Sequence, residues 1–110
     1  MELLKYAIED LKDVRAKNIR VFETKNNNPF YSYIVLATVF SGRQMDAYAG
    51  KIYKTALEKG FEVRGIEGRS GSTWVLVDLN DVVVNVFTEE ERQKYDLDKL
   101  YAMLPEIEVK

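Results

Sequence analysis

Apolar positions recur at intervals of three and four residues through Leu4, Ile8, Leu11 and Val14, with Lys5, Glu9, Lys12 and Asp13 between them. That period predicts an amphipathic helix over residues 2–17. Residues 19–24 are rich in β-branched side chains and carry Phe22, a short strand pattern. Asn26, Asn27, Asn28 and Pro29 form a break, because Asn tolerates turn conformations and Pro constrains the residue before it. Residues 31–40 form a near-continuous apolar run of strand-forming types, suited to a strand buried on both faces. Ser41 then opens a helix, with Gln44 three residues on as its capping-box partner. Met45, Ala49, Ile52 and Ala56 continue one face, widened by Tyr48, Tyr53 and Leu57, and Gly60 supplies a left-handed stop. A strand over residues 61–66 and a loop over 67–72 follow.

Residues 74–79 and 82–87 alternate most clearly. Asn80 and Asp81 suit a two-residue hairpin turn. The register then pairs Leu79 with Val82, Val77 with Val84, and Val75 with Val86, an entirely aliphatic face. Burying six such side chains contributes on the order of 10 kcal/mol as an upper bound. The opposite face is mixed: Trp74, Leu76 and Asp78 on one strand, Val83, Asn85 and Phe87 on the other. It is either a partly covered second core face or a surface for a partner.

Thr88 and Glu91 form a second capping box, and Glu89, Glu90 and Glu91 favour the positive end of a helix. This helix runs toward Leu104 with a break near Asp96, and Pro105 ends it. The order of elements gives an α/β fold: a single domain over residues 1–104, built on a mixed sheet of about five strands with flanking helices. A loose tail over 105–110 follows. The helix after the second strand permits a right-handed parallel crossover.

A chain of 110 residues holds one core of ordinary size, in keeping with this order. With 16 Lys plus Arg against 18 Asp plus Glu, its net charge of −2 matches a nucleic-acid backbone poorly. No stretch approaches the roughly 18 apolar residues of a membrane span. The charged, periodic N-terminus lacks the order of a secretory signal, so the expected location is the cytoplasm.

The chain has no His and no Cys. That excludes zinc clusters, Cys or His nucleophile pairs, disulfides and imidazole bases. Carboxylates, Lys, Ser, Thr and Tyr remain. Asp78 and Asp81 are the leading candidates for a metal or acid–base pair, and their ordinary role is in a turn. A nucleotidyltransferase site needs two carboxylates alternating along one strand face, and a gap of two residues does not align them. Gly65, Gly68 and Gly71 lack the Gly-Lys-Ser/Thr ending of a phosphate loop. Arg43, Lys51, Lys54 and Lys59, interrupted by Asp46 and Glu58, form a solvated helix face. Trp74 is either a packed anchor of the hairpin or an interface anchor, roles that coexist if one ring edge is exposed.

At this hairpin the chain resembles the Iojap-like family, the ribosomal silencing factors. The similar residues are Trp74 through Asp78, then Asp81 through Val84, Phe87, Arg92, Tyr95, Leu97 and Leu100. Upstream, Tyr33 through Thr38 followed by Ser41, Arg43 and Gln44 looks like the family's strand-to-helix motif. The likeness covers residues 3–101. The family usually has Asp at Ser32, Gly at Val39, His at Asn85 and Trp at Tyr101. The resemblance implies a nucleotidyltransferase-like fold without catalysis, cofactor or metal. It implies binding to the large ribosomal subunit, chiefly its ribosomal protein fourteen, which sterically blocks subunit association and represses translation. It also implies homodimers in some members. A basic ribosomal protein, rather than nucleic acid or membrane, is then the expected partner. Its expected docking surface is Trp74, Leu76, Asp78, Asp81, Asn85, Phe87, Arg92 and Tyr95. The alternatives are a magnesium-dependent nucleotidyltransferase-like enzyme using Asp78 and Asp81, or a dimerising scaffold.

Overall fold

A computed structural model describes residues 2–24, 30–68 and 71–109. The break at Asn26 to Pro29 lies outside them. The elements are α1 (Glu2–Asp13), β1 (Lys17–Glu23), β2 (Tyr33–Val39), α2 (Gly42–Lys59), β3 (Gly65–Glu67), β4 (Trp74–Asp78), β5 (Val82–Thr88), α3 (Glu89–Tyr95), α4 (Leu97–Leu100) and β6 (Glu106–Ile107).

The first helix ends before the expected residue 17 because Arg15 turns left-handed (φ 64°). The amide of Ala16 then donates to the Leu11 carbonyl (3.0 Å) and that of Arg15 to the Lys12 carbonyl (3.0 Å), closing the helix and freeing Lys17 to begin β1. Helix α2 starts at Ser41, whose Oγ accepts the Gln44 amide (3.2 Å), and stops at left-handed Gly60 (φ 78°). The return half of the capping box goes elsewhere. Gln44 Oε1 accepts the Phe40 amide (2.8 Å), and Nε2 donates to the Val14 carbonyl (3.0 Å), tying the start of α2 to the end of α1.

Among the described residues the sheet has six strands, ordered β3-β4-β5-β2-β1-β6. Strands β2 and β5 are parallel and the other neighbours antiparallel, so the sheet is mixed as expected. The hairpin register is as the alternation predicts: Val75 opposes Val86, Val77 opposes Val84 and Trp74 opposes Phe87. Every residue of β2 is buried. Its central place puts α1 and α2 over one face and the C-terminal segment over the other.

The first face carries the main core. Leu4, Ala7 and Leu11 of α1 and Met45, Tyr48 and Ile52 of α2 pack on Val21, Val35, Ala37 and the aliphatic hairpin residues. A smaller cluster of Phe22, Ile34, Leu36 and Phe87 lies on the second face, against Leu97, Tyr101 and Leu104.

Three expectations are corrected. The strand drawn over 61–66 narrows to Gly65–Glu67, while Phe61 and Val63 pack on the main core ahead of it. The C-terminal helix breaks at Asp96 as expected, because that residue is left-handed (φ 48°), ending α3 and capping α4 through the Lys99 amide, but α4 stops at Leu100 instead of running to Leu104. The tail expected to be loose supplies β6: Val21 pairs with Ile107 and Phe22 with Glu106, making the sheet one strand wider.

Candidate functional surface

Successive side chains on a strand point to opposite faces, so Trp74, Leu76 and Asp78 of β4 share the second face with Val83, Asn85 and Phe87 of β5. The C-terminal segment covers only part of this face. Its attachment rests on Arg92, which is 8% exposed. The guanidinium forks onto Asp98 (Nε to Oδ1 2.9 Å, Nη2 to Oδ2 2.8 Å), while Nη1 donates to the Asn18 carbonyl (2.7 Å) and Thr38 Oγ1 (2.9 Å). Its charge also lies 5.7 Å from the Phe87 ring centroid. Asp98 accepts a further bond from Arg20 (3.0 Å), and Arg20 forks onto Glu106 of β6 (3.0 and 2.7 Å). Hydrogen bonds from Arg92 hold the Asp98 carboxyl below its ordinary range, and Arg20 does the same to Glu106. One network therefore fastens α3, α4 and β6 to the sheet.

Beyond this cover stands Trp74. Its indole N–H donates to Asn85 Oδ1 (3.1 Å). Its ring lies 5.6 Å from Phe87 and 5.1 Å from Tyr95, centroid to centroid, tilted 39° and 46°. Thr88 caps α3 by accepting the Glu91 amide (3.2 Å), and its own amide donates to the Thr73 carbonyl (3.0 Å). The Glu91 carboxylate accepts the Thr73 hydroxyl, so α3 is stitched to the strand that carries the indole. On the other side, Gly68 (φ 95°) passes so close that a Cβ there would lie 2.5 Å from the Trp74 carbonyl oxygen. A hollow of about 350 Å³ is lined by Glu67, Gly68, Trp74 and Leu76. A second, of about 400 Å³, begins at Leu76 and is lined also by Phe30, Tyr31, Arg64, Asp78, Asn80 and Val83.

The eight residues expected at a partner surface divide into two sets. Trp74, Leu76, Asp78, Asp81 and Tyr95 reach solvent. Asn85, Phe87 and Arg92 are buried beneath them at 4%, 0% and 8% exposure, so they support this face from below. Asp78 and Asp81 have structural duties in the hairpin. Asp78 Oδ1 accepts the Asn80 amide (2.8 Å), and the Asp81 carbonyl accepts the amides of Ser32 (2.8 Å) and Tyr33 (3.1 Å). Among the described residues no cluster of three acidic, His or Cys side chains is placed to hold a metal ion. None of their helices is long and apolar enough to cross a membrane.

Sequence reasoning missed Asp98 and the Phe30–Val83 hollow, and it weighed Gly68 only against a phosphate loop, not as the close neighbour of Trp74. Asp98 stands six residues after Arg92, beyond a single helical turn, and only the left-handed break at Asp96 brings them together. The hollow from Phe30 to Val83 joins residues far apart in the chain, and periodicity carries no signal for it.

The model of a family described as "Ribosomal silencing factor during starvation" matches residues 1–110. The chain is 34% identical over 108 residues to the ribosomal silencing factor RsfS of Halalkalibacterium halodurans, covering 98% of this chain and 92% of that one. It is 27% identical over 96 residues to a mouse protein named mitochondrial assembly of ribosomal large subunit protein 1, covering 84% of this chain and 42% of that one. A crystal structure of a Chromobacterium violaceum protein superposes with a TM-score of 0.86 at 34% identity, covering 99% of this chain and 92% of that one. The shared fold and the full-length match place this chain in the ribosomal silencing factor family.

Proposed function

We propose that this chain binds the large ribosomal subunit through its ribosomal protein fourteen, in the cytoplasm, and represses translation by standing where the small subunit must join. Membership of the family supports the regulatory role, and the name of the mouse relative associates that protein with the large subunit. The observation that carries the docking surface is the uncovered part of the second sheet face. There the partly exposed Trp74 and Leu76 sit between two hollows, next to Asp78, Asp81 and Glu67. Aromatic anchors flanked by acids suit a basic ribosomal protein. A standard interface needs about 800 Å² per partner, within the reach of one sheet face and its edge. The mechanism requires no bond to be made or broken, because a bound domain excludes the small subunit by its volume.

Sedimentation of purified chain with purified large subunits through a sucrose gradient tests this. The wild-type chain is expected to travel with large subunits and to reduce formation of joined ribosomes when small subunits are added. The double variant Trp74→Ala, Asp78→Lys is expected to stay at the top of the gradient while keeping the wild-type circular dichroism spectrum. A folded double variant that still co-sediments would displace the docking surface. Failure of the wild-type chain to co-sediment would overturn the function. Homodimerisation uses a separate readout, the molecular mass in solution.

A further inference from the structure

We propose that Asn85 is a positioning residue for the docking surface, holding the Trp74 indole in the one orientation that presents it beside Leu76. This rests on the docking reading above. Indole has a single polar atom, a donor that cannot accept. A buried indole N–H without an acceptor costs about 1–3 kcal/mol, so its position follows the acceptor. Asn85 supplies that acceptor at 3.1 Å from the central part of β5 and is itself 4% exposed. Being nearly enclosed, it has no room to follow the indole, and the indole must follow it.

The other restraints on Trp74 leave this role open. The tilted ring contacts of Phe87 and Tyr95 hold the indole by its faces and do not by themselves select which of its edges turns inward. Gly68 lies against the Trp74 backbone and not its ring, since a Cβ added there would meet the Trp74 carbonyl oxygen. Among the described residues, the bond to Asn85 is what distinguishes one edge of the indole from the other. Oriented in this way, the indole and Leu76 together wall the hollow beside Glu67 and Gly68.

The chain contains one Trp beside seven Tyr, so fluorescence excited at wavelengths that tyrosine does not absorb reports this ring alone. Asn85→Leu keeps the branched outline, though it is bulkier, and removes the acceptor, and Asn85→Ala serves as a second variant should the first fold poorly. In the folded variant, emission is expected to move to longer wavelength and acrylamide quenching to rise, because the freed indole swings toward water. Affinity for large subunits is expected to fall about tenfold, equal to about 1.4 kcal/mol. Trp74→Phe has no N–H to orient. Adding Asn85→Leu to it is therefore expected to cost almost nothing more, a non-additivity that a general packing defect would not produce. Wild-type emission and affinity in Asn85→Leu, or strictly additive losses, would overturn the positioning role while leaving the docking surface in place. Wild-type affinity in Trp74→Ala would overturn both.

Discussion

At the scale of single residues, the most consequential side chain is Arg92, which sits among the Glu and Lys of a helix that looks entirely solvated. Its position after the capping residue Thr88 is visible in the sequence, but its burial is not. Burial follows from partners on three other segments, at Asn18, Thr38 and Asp98. Replacing such a residue is costly because its partners are left behind: Asp98 loses the fork that holds it ionised, and Thr38 loses its donor. Arg92→Met is therefore expected to destabilise the domain by about 3–5 kcal/mol in urea unfolding. Arg92→Lys keeps the charge but not the planar fork, and should recover only part of that loss. A loss below about 1 kcal/mol for Arg92→Met would show that the network is a surface decoration. The same contrast governs the docking residues. Asn85 and Phe87 belong to a legible alternation, yet their burial depends on α3 and the helices beyond it, which alternation does not place.

At the scale of elements, local chemistry predicted starts and stops well and partners less well. Both capping boxes were legible because the first half of each is a bond within one turn, from Gln44 to Ser41 and from Glu91 to Thr88. The second halves were diverted: Gln44 serves Phe40, one residue before the cap, and the distant Val14, and Glu91 serves the distant Thr73. The hairpin register was legible because side chains on a strand alternate faces and the two-residue turn fixes the pairing. Strand β6 carried a signal that went unused: Glu106, Ile107, Glu108 and Val109 alternate polar and apolar, and Ile107 and Val109 pack on the main core. A chain ending at Pro105 loses β6, the fork between Arg20 and Glu106, and those two apolar contacts. It is expected to remain folded but to melt about 5–10 °C lower, given roughly 4–8 °C per kcal/mol for a domain of this size. An unchanged melting temperature would show that the strand adds nothing, and the tail would then be dispensable as its sequence first suggested.

At the scale of the whole molecule, the two faces of the sheet respond to acid in opposite senses. On the second face, Asp98 and Glu106 are held below the ordinary carboxylate range by Arg92 and Arg20. Their stabilisation is fully present above the unfolded value near 4 and is lost as pH falls through the lowered folded value. On the first face, Asp10 lies buried between α1 and α2, and desolvation raises it, partly offset by a hydrogen bond from the Thr55 hydroxyl (2.6 Å) and by the charge of Lys51. Its sign is reversed. The protonated form fits the seam better, so its contribution is present below about 4 and is lost as pH rises through the raised value. At neutral pH the fold therefore keeps an Asp10 charge that its surroundings disfavour. Asp10→Asn retains an oxygen to accept the Thr55 hydroxyl and removes the charge. Its melting temperature is expected to exceed the wild type's by about 4 °C at pH 7, and the advantage should vanish below pH 4, where the wild-type carboxyl is itself protonated. Asp98→Asn should do the reverse, losing stability at pH 7 and converging on the wild type as the medium turns acidic. Calorimetric melting of the three proteins between pH 3 and 8 separates these outcomes. An Asp10→Asn variant that melts lower at pH 7 would show that the Lys51 and Thr55 interactions outweigh the burial of the charge. The opposite signs also mean that acid loosens the cover over the second face while tightening the helical seam on the first. Acid unfolding should then begin at α3, α4 and β6, and loss of the Trp74 fluorescence signal is expected to precede loss of the helical circular dichroism signal as pH falls.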